Sequence, residues 1–390
     1  MTTTRISPLM LLLLLVLILP LSVCINGCGG QYAENTDDKT TDTAEGNGVP
    51  SVPDTAALPS DPLSSAAYND SPNRTSAGRF CEDISTGNIL YRNVFDHDFL
   101  YQYDISSRTS TCLNADIYGV QFITIDPNGG KIFFSGYDSE KNHKKINIYS
   151  ITKDNPTPVL EIENAQGAVV TDDYLYYHGM MDEFSYDISR KSITTGIVET
   201  LLPPGYFCSD VTLLVVGDSL YFHNLMDIFH LDTVSLDLTN ITNGVHKNGL
   251  NKLQYADGYL YYYSYGKNAA IHRISAGNTD DRETVLLFND GDFWYDNLLV
   301  VDNSLIFTGR QSSSLSEGEP EENFIRGTFK YSFQSGIVER IHEQSWGPAC
   351  YVTHDYIVSI QNAEDKGADT ILIMDYNGND LSSSFPGLTH

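Results

Sequence analysis

Positive charge is scarce in this 390-residue chain: 23 Lys and Arg stand against 51 Asp and Glu, a net charge of −28. Phosphate backbones and anionic lipid repel such a chain, which argues against nucleic-acid binding and against membrane attachment through a basic patch. Cysteine is sparse too, at 6 residues. None of them sits in a CxxC pair, and their wide spacing does not suit a zinc site. No His-Glu-x-x-His, Gly-x-Ser-x-Gly, phosphate-loop or Gly-x-Gly-x-x-Gly segment occurs, so the common metalloprotease, esterase and nucleotide signatures are missing. One long apolar run is present, at residues 9–23, with Arg5 as the only charge before it. That run is short for a membrane span and has the charged, apolar, small-residue order of a secretory signal.

After the run comes Ile25-Asn26-Gly27-Cys28, which resembles a bacterial lipobox. The resemblance implies a diacylglyceryl group on the Cys28 thiol, cleavage just before it, and an extracytoplasmic, lipid-anchored protein. Cys24 is a rival with the bulkier Val23 before it. Residues 1–27 are read as the signal peptide and residues 28–78 as a flexible tether. Gly, Ser, Thr, Asp, Asn and Pro dominate the tether, and its few large apolar groups do not offset ordering entropy. Cys81, Cys112, Cys208 and Cys350 remain, an even count that permits disulfides outside the cytoplasm.

Residues 79–390 repeat a short strand: Asn88-Ile-Leu-Tyr, Lys131-Ile-Phe-Phe, Tyr174-Leu-Tyr-Tyr, Ser219-Leu-Tyr-Phe, Tyr259-Leu-Tyr-Tyr, Ser304-Leu-Ile-Phe and Tyr356-Ile-Val-Ser. Their second residues, at 89, 132, 175, 220, 260, 305 and 357, are 43, 43, 45, 40, 45 and 52 apart. A period of about 40–45 residues belongs to four-stranded propeller blades, and helical repeats of that length would show a 3.6-residue pattern. Turns rich in Asp, Gly and Asn precede each copy, as tight hairpins require. The expected fold is therefore all-β: a β-propeller of four-stranded blades, seven by this count, with six or eight left open by weak terminal repeats. On the seven-blade count Cys81 and Cys350 fall on the inner strands of the first and last blades, and a disulfide there would latch the ring.

The cadence of Asp or Gly, then Leu-Tyr-Tyr, then Ile-Tyr-x-Ile (as in Ile148-Tyr-Ser-Ile) resembles a bacterial propeller family named for its likeness to the low-density-lipoprotein-receptor-related propeller. The resemblance covers residues 78–390 and implies stacked blades around a channel, with a role largely unassigned. Trp294 and Trp346 do not lie in the Tyr-Trp-Thr-Asp strand of the receptor propellers, so receptor-type chemistry is not carried over.

The chemistry-bearing candidates are few. Asp375-Tyr-Asn-Gly-Asn-Asp380 has the alternating oxygens of a calcium loop but no distal Glu, and its place in the repeat is that of a hairpin. His178 and His223 each follow their Tyr-rich strand directly, which suits a structural position. Trp294 and Trp346 both stand ten residues before their repeat strand, which places them on one rim of the ring. Tyr295, Tyr118, Tyr206 and Phe207 sit in comparable loops. Exposed aromatics on a concave rim offer binding area at low entropy cost, although packing between blades is the competing reading. The expected function is a monomeric surface protein that binds a glycan, peptide or protein at this rim, with no cofactor or metal. The alternatives are a polysaccharide-acting hydrolase or lyase and a scaffold or sensor subunit of an envelope complex.

Overall fold

The structure is a computed structural model that describes residues 80–381 apart from short interior stretches, of which 205–211, 313–323 and 343–349 are the longest. These residues belong to the second of two compact units, Pro62–His390. Among the described residues all regular structure is β-strand.

The strands form consecutive antiparallel sheets, each a simple up-and-down run. The first contains β1 (Phe80–Asp83), β2 (Asn88–Asn93), β3 (Phe99–Asp104) and β4 (Thr109–Asn114). The second contains β5 (Ile123–Ile125), β6 (Ile132–Gly136), β7 (Asn147–Thr152) and β8 (Asn155–Ile162). The third contains β9 (Ala165–Val170), β10 (Tyr174–Asp182), β11 (Ser185–Ser192) and β12 (Val198–Leu202). The fourth contains β13 (Leu213–Val216), β14 (Ser219–His223), β15 (Ile228–Asp232) and β16 (Leu238–Asn240). The fifth contains β17 (Leu250–Ala256), β18 (Tyr259–Ser264), β19 (Ala270–Ser275) and β20 (Arg282–Leu287). The sixth contains β21 (Phe293–Val301), β22 (Ser304–Ser312), β23 (Phe324–Ser332) and β24 (Val338–His342). The last contains β25 (Cys350–Val352), β26 (Ile357–Asn362) and β27 (Asp369–Met374).

First strands touch first strands around the molecule: β1 meets β5, β5 meets β9, and the series continues through β13, β17 and β21 to β25. Period-2 alternation then sends successive side chains of one strand to opposite neighbouring sheets. In β14, Leu220 and Phe222 join Val169 and Tyr176 of the third sheet, while Tyr221 joins Leu260 and Tyr262 of the fifth. The same logic closes the ring, because Phe80, Tyr91 and Tyr103 of the first sheet pack with Val358 and Ile373 of the last. This is a β-propeller.

Among the described residues six of the sheets are four-stranded blades and the last has three strands, so the expected seven four-stranded blades are not confirmed. Beyond the turn after β27 the described chain runs on through Asp380 and Leu381. Asp380 bridges Met374, and the Leu381 N–H donates to the Ile373 carbonyl at 2.8 Å. A fourth strand is begun there.

Both hairpins at the end opposite the rim described below follow turn chemistry. Asp257 and Gly258 take φ of 52° and 81° between β17 and β18, the paired left-handed conformation of a tight hairpin. Between third and fourth strands a side-chain oxygen caps the turn: Asp104 Oδ1 accepts from the N–H of Ser106 and of Ser107, and Asp232 Oδ1 accepts from Val234 and Ser235. Asp375 repeats this after β27, accepting from the N–H of Asn377 and of Asn379. The calcium-like segment is thus the last copy of a turn that recurs around the ring.

Candidate functional site

Up-and-down sheets bring two kinds of connection to one end: the entry into each first strand, and the loop from second to third strand. The first and second sheets show how these interlock. Tyr118, in the entry to β5, and Tyr137, just after β6, donate backbone hydrogen bonds to each other, both 2.8 Å long. The N–H groups of Gly119 and Val120 donate to the carbonyls of His97 and Asp98 in the loop after β2, at 3.2 and 3.0 Å. This end is the rim.

His97 and Asp98 are consecutive non-glycine residues at φ of 52° and 57°. Left-handed backbone costs such residues roughly 1–2 kcal/mol each and persists only where surroundings enforce it. The enforcing groups are on hand. Arg92 Nε donates to Asp98 Oδ1 at 2.7 Å while its Nη1 donates to the Val120 carbonyl at 3.3 Å. The Tyr101 hydroxyl donates to the Asp96 carboxylate, and that bond, with burial, pushes the phenol well above its ordinary range. Both aspartates of the turn are thereby engaged.

The turn presents an aromatic group. Phe99 and Tyr118 lie with ring centroids 5.0 Å apart, and His97 sits edge-on to Tyr118 at 6.1 Å. Phe99 is buried, Tyr118 half-buried and His97 exposed, so the cluster rises from the core to solvent. Two glycines permit the close approach. A Cβ on Gly136 would lie 2.5 Å from Ile117 Cγ2 and 2.7 Å from the Tyr118 carbonyl; one on Gly119, at φ +61°, would lie 3.0 Å from the Tyr137 ring.

Toward the axis the aromatics meet amides. Gln166 Nε2, on β9, donates to Gln121 Oε1 at 3.1 Å, and Gln121 Nε2 donates to the Tyr137 hydroxyl oxygen at 3.3 Å. The Gln166 amide oxygen has no partner among the described residues. Asp116 and Asp138 are exposed on either side.

A second feature follows the repeat. The residue after each Leu-Tyr-Tyr unit is Arg92, Ser135, His178, His223 and Tyr263 in the first five sheets, and alternation turns each toward the next sheet. His178 is 3% exposed, packs edge-on to Tyr186, and leaves its Nδ1 without a hydrogen bond; burial pushes its imidazole down to about 4. His223 is equally enclosed. Both therefore sit in seams between sheets and not at the rim surface.

Of the aromatics singled out in the sequence, Tyr118 is brought into the cluster. His97 and Phe99 were missed, because they come from a different loop about 20 positions earlier in the chain. Asp96-His97-Asp98 was the available signal, since Asp and His tolerate left-handed turns better than most residues. Trp294 and Tyr295 lie within β21, paired with Arg310 and Gly309, and not in the connection before it. Trp346, Tyr206, Phe207 and Cys28 lie outside the described residues. Cys81 faces the second sheet, packed with Leu90 and Ile123, and its Sγ is 3.6 Å from the Glu82 carbonyl. Cys350 opens β25, and its side chain lies outside the described residues. Among the described residues no three His, Cys, Asp or Glu side chains are grouped to hold a metal, and no helix is long and apolar enough to cross a membrane.

No family model matches the chain, and no curated protein sequence matches it. Solved structures do resemble it. An oligogalacturonate lyase in complex with manganese superposes with a TM-score of 0.53 at 12% identity, over 77% of this chain and 88% of that one. An oligogalacturonate lyase from Vibrio parahaemolyticus gives 0.50 at 10% identity, over 75% and 85%. A puromycin hydrolase S511A mutant complexed with PGG gives 0.51 at 9% identity, over 76% of this chain and 50% of that one. At such identities the likeness establishes the propeller fold alone.

Proposed function

We propose that the chain is a lipid-anchored, extracytoplasmic binding protein, held by Cys28 and a tether, that takes its ligand at the propeller rim. The observation that carries this is the strained turn at His97 and Asp98, braced by Arg92 and by two backbone bonds, which holds an aromatic cluster partly open to solvent. Preorganised aromatics bind with little loss of entropy, and strain of this kind gathers where function needs it. The monomeric state and the bacterial low-density-lipoprotein-receptor-related-like family belong to the same reading.

A second reading, a polysaccharide-acting lyase or hydrolase, draws support from the two oligogalacturonate lyases among the similar structures. One experiment separates the two. The full chain is incubated with panels of oligosaccharides and peptides, following both retention and product formation. Binding without turnover, weakened by His97→Ala or by replacing Trp294 and Trp346 with Ala, is expected. New reducing ends or unsaturated sugar products would move the assignment to the second reading. Metabolic labelling with palmitate, lost in Cys28→Ala and kept in Cys24→Ala, is expected of the anchor.

A further inference from the structure

We infer that the rim between the first two sheets is a subsite for an uncharged sugar, an inference that rests on the binding-protein reading above and names its ligand class. Three observations converge on it. Tyr118, backed by Phe99 and edged by His97, offers a half-buried ring face of the kind on which the C–H face of a pyranose stacks. Beside it runs a relay of amides from Gln166 through Gln121 to the Tyr137 hydroxyl. Amides both donate and accept, as sugar hydroxyls do, and the Gln166 oxygen at the end of the relay is an acceptor still to be matched. The third observation is charge. Asp98 is neutralised by Arg92 and Asp96 is held by Tyr101, so the carboxylates nearest the ring are occupied within the protein.

Exposed charge among the described residues beside the subsite is mixed, with Asp116 and Asp138 against Lys145, while the chain as a whole is strongly acidic. The chain carries −28, and Arg92, the cation built into the turn beneath the platform, is spent on Asp98 and the Val120 carbonyl. A uronic-acid chain would arrive against that net negative field, and the Arg92 guanidinium under the ring is already committed within the protein. A basic peptide would be drawn to Asp116 and Asp138, but the carboxylates of the turn itself, Asp96 and Asp98, are already paired within the protein. A neutral hexose or N-acetylhexosamine fits both the ring and the amides.

The test uses the full chain in detergent, titrated at physiological salt with neutral oligosaccharides, oligogalacturonides and Lys/Arg-rich peptides. A neutral oligosaccharide should bind best. Its affinity should fall at least about tenfold in Tyr118→Ala and in Gln166→Ala, and stay near wild type in Tyr118→Phe, which keeps the ring. Should Tyr118→Ala unfold the chain, Gln166→Ala and Tyr118→Phe carry the comparison. Preference for the acidic sugars or the basic peptides, or no binding of any neutral sugar, overturns the inference. Neutral-sugar binding untouched by Tyr118→Ala and Gln166→Ala but lost in Trp294→Ala also overturns it, and leaves the rim reading standing. Indifference to all three substitutions removes both.

Discussion

Tyr118 and Tyr137 belong to different loops, yet each donates its backbone N–H to the other's carbonyl at the same 2.8 Å. That bridge welds the entry of the second sheet to the loop above it, and only a residue without a side chain fits beneath. Gly136→Ala would drive its Cβ into Ile117 and the Tyr118 carbonyl. A loss of about 1–3 kcal/mol in urea unfolding is expected, with weaker ligand binding as the bridge parts. Wild-type stability in this variant would show that the bridge yields easily.

His178 makes stability depend on pH. The folded protein keeps its ring neutral down to about 4, whereas the unfolded chain takes up a proton below 6.5. Stability from this group is therefore complete above 6.5 and drains away as pH falls toward 4. Between pH 7.5 and 5 the decline should be about 2 kcal/mol, read from urea midpoints at each pH. His178→Phe keeps a ring against Tyr186 and should flatten that part of the curve.

Glu161 acts lower on the pH scale. Burial raises its carboxyl, but hydrogen bonds from Lys191, Ser150 and Lys131 outweigh burial and leave it below the usual carboxylate range. Because Lys191 comes from the third sheet, the carboxylate ties two sheets together. Its contribution is present above the ordinary value of 4.5 and is lost as pH falls below it. Glu161→Gln should cost about 1–3 kcal/mol at neutral pH and narrow the gap to wild type in acid.

Leu236 occupies a place that glycine fills elsewhere. In the turns after Ser192 and Ser332 the fifth residue is Gly196 or Gly336, at φ 71° and 67°, donating back to the first residue's carbonyl. Leu236 does the same from Asp232 at φ 63° while 42% exposed. Leu236→Gly should therefore raise stability by about 1 kcal/mol, seen as a higher thermal midpoint. A lower midpoint would mean that the leucine packs more than its exposure implies.

Much of this architecture was readable beforehand, for reasons that particular residues make plain. Second strands such as Tyr259-Leu-Tyr-Tyr are buried on both faces, so each copy must be apolar and the period survives in the letters. Outer strands face water. β8 and β20 are mostly exposed and leave only a faint pattern, and a fourth strand begun by Asp380 and Leu381 could not be told from a tail. The site was harder because its parts are split. Tyr118 reads as a loop aromatic, but nothing in the order of residues says that His97 and Phe99 lie against it. Backbone bonds between loops bring them together, and such bonds have no letter code. Trp294 was read one step out of place for a related reason: β21 extends further toward the rim than its apolar stretch, carried by pairing with Arg310 and Gly309.

The series Arg92, Ser135, His178, His223 and Tyr263 has a consequence for assembly. A closed ring of near-copies invites mistakes, since any sheet could dock on any other, or on a sheet from a second chain. A guanidinium, a hydroxyl, two imidazoles and a phenol differ in size, shape and charge, so a misplaced neighbour would meet a clash or a void costing roughly 1–3 kcal/mol. Each junction thus works like a keyed connector. The cyclic order of the sheets is enforced where they touch, and one swapped key should show first as slow or misassembled folding.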